Sequence, residues 1–506
     1  MVLINGFNLD LVKFKKVVLD LEDVKIEDTA LKRVKESYEV IEKIVKKNKR
    51  VYGVTTGFGK LVDVTIPKDK IDILQFNILR SHSVGVGEPF SFYDVRGAIL
   101  LRINTIIRGN SGVSLETLNA LVELLNKKIY PYVPQKGSVG ASGDLAPLSH
   151  IALVLIGEGE CIEDGERVKS IDVLNKHKIK PVKLRPKEGL ALINGTQMMT
   201  SIAGCSLVKG EILLKLSDIV AAASADALLS TDLPFEKRIS NIRNHKGQVD
   251  SAYNIYNLLK GSQIRKSHKK CSKVQDPYSI RCIPQVHGAA REVFYFAKGI
   301  VEREFNSSTD NPLVFIKEKE VVSGGNFHGQ IIATALDSLT IGLCELGNIS
   351  DRRLYRLLDT NQTGLYPFLI KDVGLNSGFM MLQVTTAALV SENKVLAHPA
   401  SVDSIPTSLG QEDHVSMGTI SARKLKSVIE NNFYILSIEL FAAMTALYLR
   451  KPLLSSKPLN ELLNWFFKNV EPVENDRAFY LDVEKIFSLT YSGKVVEKVE
   501  NYLKLK

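Results

Sequence analysis

Four long stretches of this chain are apolar on most of their faces: Glu211 to Leu229, Ile331 to Leu346, Asn376 to Leu396 and Ile420 to Leu449. A helix with apolar side chains all round cannot stand in water, so these segments must lie inside a bundle or against another subunit. Other stretches are amphipathic. Leu31, Val34, Tyr38, Ile41 and Val45 recur at spacings of three and four behind Asp28, a candidate N-cap. Ser114 opens a second such helix, with Leu115, Leu118, Val122 and Leu125 on one face. Alternating patterns are few, and 157–168 with its glycine turns reads as one small hairpin. The expectation is a mainly α fold. A more irregular, Gly-rich N-terminal part covers 1–200, and a long central helical bundle with C-terminal helices covers 201–506.

With 506 residues the chain can bury a large core. Hydrophobic residues make up 45% and charged residues 24%, too apolar a balance for a disordered chain. The net charge of +10 is spread along the sequence. Its densest run, Lys266-Ser267-His268-Lys269-Lys270, has no interleaved aromatics and reads as a solvated loop, so no nucleic-acid partner is expected. Cys161, Cys205, Cys271, Cys282 and Cys344 are odd in number and lack CxxC spacing. That pattern points to a reducing compartment rather than a disulfide framework or zinc ribbon. Residues 1–16 break their apolar runs with Asn, Asp and Lys, unlike a signal peptide. The most apolar long segment, Tyr434 to Leu449, carries Glu439 and is shorter than the ~20 residues of a membrane span. A cytoplasmic protein without membrane contact is expected.

Several short motifs fail on inspection. The segment 53–60 lacks a glycine that a phosphate-binding loop needs, and Lys60 is followed by Leu61. Gly85-Val86-Gly87 lacks the third glycine of a dinucleotide fingerprint, and the nine histidines are too scattered to signal a metal site. Ser323-Gly324-Gly325-Asn326 is similar to the carboxylate loop of pyridoxal-phosphate dehydratases and stands as a rival reading.

The segment 137–148, GSVGASGDLAPL, carries the chemistry. Glycines at 137, 140 and 143 let the backbone fold tightly back on itself. In such a bend the Gly143 nitrogen can attack the Ala141 carbonyl, and loss of water closes a five-membered ring. Loss of the Ser142 hydroxyl then leaves an exocyclic methylidene. The product is 4-methylidene-imidazole-5-one (MIO), an electrophile that needs no external cofactor. Asp144 is a candidate N-cap for an apolar helix running to Ile156, which would place the ring at a positive helix end.

This segment resembles the signature of the histidine/phenylalanine ammonia-lyase family. Six further blocks in family order carry the same resemblance: VYGVTTGFG at 51–59, SHSVGVG at 81–87, LINGTQ at 192–197, VQDPYSIRC at 274–282, SGGNFH at 323–328 and QEDHVSM at 411–417. The resemblance implies a fumarase/aspartase-like helical architecture, MIO formed from Ala141-Ser142-Gly143, and elimination of ammonia from an amino acid. It implies that Tyr52 removes the β-proton and that Arg281 holds the substrate carboxylate. It gives Tyr278 and Asn194 the ring precursor and the amine, and it lines the pocket with Gln275 and Phe327. Glu412 falls beside the substrate side chain or the leaving amine. Ser81-His82 sits at the position that looks like the family's specificity switch, and this pair implies histidine, deaminated to urocanate. The family assembles as a homotetramer with active sites drawn from three chains.

Three places depart from the histidine-enzyme pattern. Gly329-Gln330 stands where Ala-Glu is usual, Leu409-Gly410 where Ala-Asn is usual, and His287 where Met is common. The alternatives are a tyrosine or other aromatic lyase, an aminomutase using the same group, and a helical scaffold or basic nucleic-acid binder without catalysis.

Overall fold

The computed structural model describes residues 1–47, 49–269 and 274–506. Cys271 and Lys270 of the basic run therefore lie outside the described residues. The chain is mainly α-helical and folds as two compact units. The first comprises Met1–Val208, Lys298–Asp337 and Pro399–Arg423, the second Lys209–Ala297, Ser338–His398 and Lys424–Lys506. A division near residue 200 thus closes only the first segment of the first unit. The segments carrying blocks 323–328 and 411–417 belong to that same unit.

Every described strand lies in the first unit, in four two-stranded sheets. Glu160–Glu163 pairs antiparallel with Glu166–Lys169, the hairpin expected within 157–168. Its two-residue turn is Asp164-Gly165, both at positive φ, the backbone twist that suits a tight hairpin. Helix Leu115–Asn126 starts as expected, with Ser114 Oγ accepting from the Thr117 N–H. Helix Asp28–Lys46 differs by one residue: Glu27 is its N-cap and Asp28 its first residue. The Glu27 N–H is already spent on the Ile4 carbonyl of the neighbouring strand, which fixes the chain as it enters the helix.

Three helices of this unit converge. Ile71–His82, Leu145–Leu155 and Glu188–Ile193 pack against one another. Gly189 makes this possible, since a Cβ there would stand 2.5 Å from the Gln75 carbonyl oxygen. The ends of these helices carry His82, the 141–143 tripeptide and Asn194.

The second unit is built of helices that enclose several carboxylates, Glu439 and Asp218 among them. Glu439 is fully buried and takes a bidentate pair from Arg353, at 2.6 and 2.9 Å. Ser224 and Ser350 also donate to it. Its helix, Gly418–Leu449, is the one described helix long and apolar enough to cross a bilayer, but 83% of its most apolar window is buried inside the molecule. An internal ion pair explains why Glu439 interrupts an apolar run: the carboxylate has its partners within the fold.

Asp218 is another fully buried carboxylate of this unit. It accepts from Arg291 at 2.7 Å, His287 at 2.8 Å, Asn254 at 2.8 Å and Ser251 at 2.7 Å. Burial works against its charge, but Arg291 and the hydrogen bonds outweigh it and bring its pKa down to about 2. Burial pushes His287 below its ordinary value. Both shifts have the same sign for stability. Each group takes up protons more readily unfolded than folded, so stability present at neutral pH is lost as pH falls. The His287 part goes below ~6.5 and the Asp218 part below ~4. Denaturation midpoints should therefore fall between pH 7.5 and 5. His287→Met should flatten that limb, by up to ~1.4 kcal/mol per pH unit. An unchanged limb in that variant would place the titration elsewhere.

Candidate active site

The 137–144 segment leaves a short strand, Pro134–Lys136, and turns through Gly137, Gly140 and Gly143, all at positive φ. Its backbone is held at nearly every residue. The Val139 carbonyl accepts from Met417 N at 2.8 Å. The Gly140 carbonyl accepts from Ser416 Oγ at 2.9 Å and Gly329 N at 3.3 Å. Ala141 is buried against Val415 and Met417. The Ser142 carbonyl accepts from Asn194 Nδ2 at 2.8 Å, and Asp144 N donates to the Gly195 carbonyl at 2.7 Å.

Gly143 lies back to back with Gly195. A Cβ on Gly143 would stand 2.2 Å from the Gly195 carbonyl oxygen, so no other residue fits this bend. The tripeptide is thus pressed into a turn with its Ser142 carbonyl already supplied with a donor. These features fit a ring closed between Ala141 and Gly143, because the Ser142 carbonyl oxygen survives in such a ring and keeps its Asn194 partner.

Ser142 Oγ donates to Glu412 Oε1 at 2.8 Å. Thr407 and Ser408 hydroxyls donate to Glu412 Oε2 at 2.6 and 2.8 Å. Burial opposes the Glu412 charge, but these three hydrogen bonds and the nearby His82 hold its pKa below the usual carboxylate value. His82 is the last residue of helix Ile71–His82, with Ser81 Oγ 3.0 Å from its Nδ1. Burial lowers its pKa, and the Ile78 backbone hydrogen bond and Glu412 only partly oppose that, which favours the neutral ring. A neutral imidazole offers one donor and one acceptor.

Tyr52 OH accepts from Gly59 N at 3.3 Å. Burial raises its pKa, and the Glu412 charge adds to that. Both effects oppose the phenolate form that a base requires. Phe327 is half-buried, two residues before Gly329.

Gln275, Tyr278 and Arg281 belong to the second unit. Tyr278 is 70% exposed, and the Arg281 guanidinium lies 4.6 Å from its ring centre. Tyr52, His82, Ser142, Asn194 and Glu412 therefore lie in one unit, and Gln275, Tyr278 and Arg281 belong to the other.

Asp144 differs from its expected role. It occupies the N-cap position of Leu145–Leu155 but makes no side-chain bond to that helix. Its fully buried carboxylate instead accepts from Met199 N at 2.8 Å, Thr419 Oγ1 at 2.6 Å and Ser138 Oγ at 3.2 Å. It thereby caps the first turn of Gln197–Ala227 and ties three segments together under the tripeptide.

A family model described as aromatic amino acid lyase matches residues 9–468. The chain belongs to the aromatic amino acid lyase family. The lyase is 45% identical over 505 residues to a histidine ammonia-lyase of Alkaliphilus oremlandii, spanning 100% of this chain and 99% of that one. It matches the crystal structure of histidine ammonia-lyase from Trypanosoma cruzi with a TM-score of 0.92 at 41% identity, covering 99% of this chain and 96% of that one. It matches a tyrosine aminomutase of Streptomyces globisporus with a TM-score of 0.94 at 36% identity, covering both chains fully. Membership contradicts the reading of the chain as a helical scaffold without catalysis.

One departure of the lyase from the usual pattern has a local cause. At Gly329 a Cβ would stand 2.7 Å from both Met199 Cε and Sδ and 2.8 Å from Ser416 Oγ. An alanine there would displace the Met199 side chain that fills the slot between Gly140, Gly329 and Gly418. Gln330 instead bonds Thr334 Oγ1 and the Ser401 carbonyl, and Leu409 is exposed. Sequence reasoning missed Arg102, Gln197, Ser416 and Thr419. Arg102 did leave a signal: a charge within the apolar run Ala98-Ile99-Leu100-Leu101-Arg102-Ile103 must have a buried partner.

Proposed function

We propose that this lyase eliminates ammonia from L-histidine to give trans-urocanate, using MIO formed from its own Ala141-Ser142-Gly143. The observation that carries the reading is Ser142, held between Asn194 and Glu412 on a glycine bend with His82 beside Glu412. The full-length 45% identity to a histidine ammonia-lyase supports it. When formed, MIO supplies an electrophilic methylidene carbon that turns the substrate amine into a better leaving group.

The chain's own residues do the rest. Asn194 Nδ2 holds the Ser142 carbonyl oxygen, and its buried Oδ1, unpartnered in the fold, can accept from the substrate amine. Once Ser142 has given up its hydroxyl, Glu412 Oε1 loses that donor and can accept from the substrate. His82 and Glu412 then present a donor and acceptors to the two imidazole nitrogens, which a phenyl ring cannot use. Tyr52 removes the β-proton. Burial opposes its phenolate form, so positive charge brought near the phenol favours its action as a base.

Arg281 grips the substrate carboxylate in a bidentate fork, with Tyr278 and Gln275 beside it. We assign those three to neighbouring subunits of a homotetramer. The exposure of Tyr278, and of Met381 at 63% and Val395 at 72% on helix Met380–Leu396, is what a chain with large interfaces would leave on a single copy. Light scattering on the active enzyme should give four chains, and an active monomer would remove the shared site. A cytoplasmic location is part of the same reading, since buried thiols such as Cys161 and Cys344 are kept reduced there.

The deciding experiment is incubation of the purified enzyme with histidine, tyrosine and phenylalanine, with the products identified by mass spectrometry and NMR. Urocanate should dominate. A β-amino acid would show the aminomutase outcome, and preferential coumarate or cinnamate would show another aromatic lyase.

A further inference from the structure

Helix Phe92–Ile106 is buried on every side from Asp94 to Ile106, yet it carries Arg102 in its middle. The Arg102 guanidinium is fully enclosed, and burial draws its pKa down to about 10. The Asp310 and Asp144 charges nearby only partly oppose that shift, and among the described residues its hydrogen bonds go to neutral oxygens. Nη1 donates to the Ala191 carbonyl at 2.9 Å, and Nη2 donates to the Asn194 carbonyl at 3.0 Å and to Gln197 Oε1. A buried charge whose hydrogen bonds all go to neutral oxygens, with carboxylates acting only at a distance, is costly and calls for a reason beyond packing.

The reason lies in what those oxygens belong to. They are the end of helix Glu188–Ile193 and the corner Asn194-Gly195-Thr196-Gln197, and this corner is what the tripeptide rests on. Asn194 Nδ2 holds the Ser142 carbonyl, the Gly195 carbonyl accepts from Asp144 N, and Gly195 blocks any Cβ on Gly143. Gln197 Nε2 donates to Thr105 Oγ1 at 3.0 Å and Thr309 Oγ1 at 2.7 Å, so both its hydrogens are used and its oxygen must face Arg102. A Cβ on Gly195 would stand 2.5 Å from Gln197 Oε1, 2.6 Å from Arg102 Nη2 and 2.7 Å from Thr309 Oγ1, so the corner has no room to move.

We propose that Arg102 is a positioning residue for ring closure: it locks the Asn194–Gln197 corner as the rigid surface against which Ala141-Ser142-Gly143 is bent. The inference rests on the MIO reading above. In closure the Gly143 nitrogen forms a bond to the Ala141 carbonyl carbon. The Ala141 oxygen leaves as water with the hydrogens of the Gly143 and Ser142 nitrogens, and a carbon–nitrogen double bond remains between Ala141 C and Ser142 N. The Ser142 hydroxyl then leaves as a second water with the Ser142 α-hydrogen. A peptide nitrogen is a poor nucleophile, so the first step depends on held proximity. Slack in the corner would let the tripeptide relax into an ordinary turn. Lysine carries one compact charge and cannot span two carbonyls and an amide as the guanidinium fork does.

The test is intact mass followed over time after synthesis, on Arg102→Lys purified as the folded oligomer with native circular dichroism. Two-water loss should be slowed about tenfold or more, since small misplacements of reacting groups cost rates of this order. The fraction that does mature should keep the wild-type KM for histidine. Arg353→Lys is the comparison: it sits equally buried on Glu439 in the other unit and should lose stability yet mature at the wild-type rate. A folded Arg102→Lys that matures at the wild-type rate overturns the proposal. Should that variant be insoluble, Gln197→Met decides in the same assay: slowed maturation supports the proposal, and a wild-type rate overturns it. If the wild-type protein itself keeps its full encoded mass, the MIO reading fails, and that result is separate from the behaviour of Arg102.

Discussion

Ser142→Ala should yield a folded protein of full encoded mass and reduce ammonia elimination by ~10³-fold or more, the scale at which removal of a covalent catalytic group is felt. The wild-type chain should weigh two waters less than its sequence. The substitution removes only one oxygen, so Asn194 keeps its bond to the residue-142 carbonyl and Gly143 keeps its seat against Gly195. Glu412 keeps Thr407 and Ser408. The fold should therefore survive, and the loss can be read as chemical. Intact mass and activity measured on the same preparation check this. An active protein of full mass would mean that the reaction runs without the ring.

His82→Leu should leave the two-water loss complete while lowering kcat/KM for histidine. The neutral His82 ring and the Glu412 carboxylate are the polar groups proposed to satisfy the substrate imidazole. An imidazole nitrogen left buried without a partner costs ~1–3 kcal/mol, which corresponds to a roughly five- to 150-fold loss. The effect should fall on histidine far more than on phenylalanine, whose ring has nothing to lose. Intact mass separates failure to mature from failure to bind. If histidine is turned over as well as by the wild type, His82 does not read the imidazole and the substrate assignment loses its physical support.

The periodic patterns were enough to predict a mainly α chain, the hairpin within 157–168 and the Ser114 cap, because each depends on neighbours within a few residues. The bend at 137–143 was legible for the same reason, since it needs small residues at nearby positions, but its chemistry was suggested only by the resemblance of the wider segment. The resemblance of seven blocks then brought Tyr52, His82, Asn194 and Glu412 to attention; Asn194 and Glu412 bond Ser142, and the Glu412 charge acts on Tyr52 and His82. Family membership was likewise carried by the sequence alone.

What a sequence cannot express is which distant atoms satisfy a buried group. Asp144 stood at a helix start and looked like a cap for that helix, but its backbone angles turn its carboxylate to Met199, Thr419 and Ser138. Arg102 was visible as a charge in an apolar run, and only the fold supplies its partners, 89 to 95 residues away. Gly329 reads as a departure from pattern until Met199 is seen filling the space a methyl group would need. Local pattern follows from covalent neighbours and solvent, and so it is written in the chain. The partners of a buried charge follow from which segments pack together, and only the tertiary structure decides that.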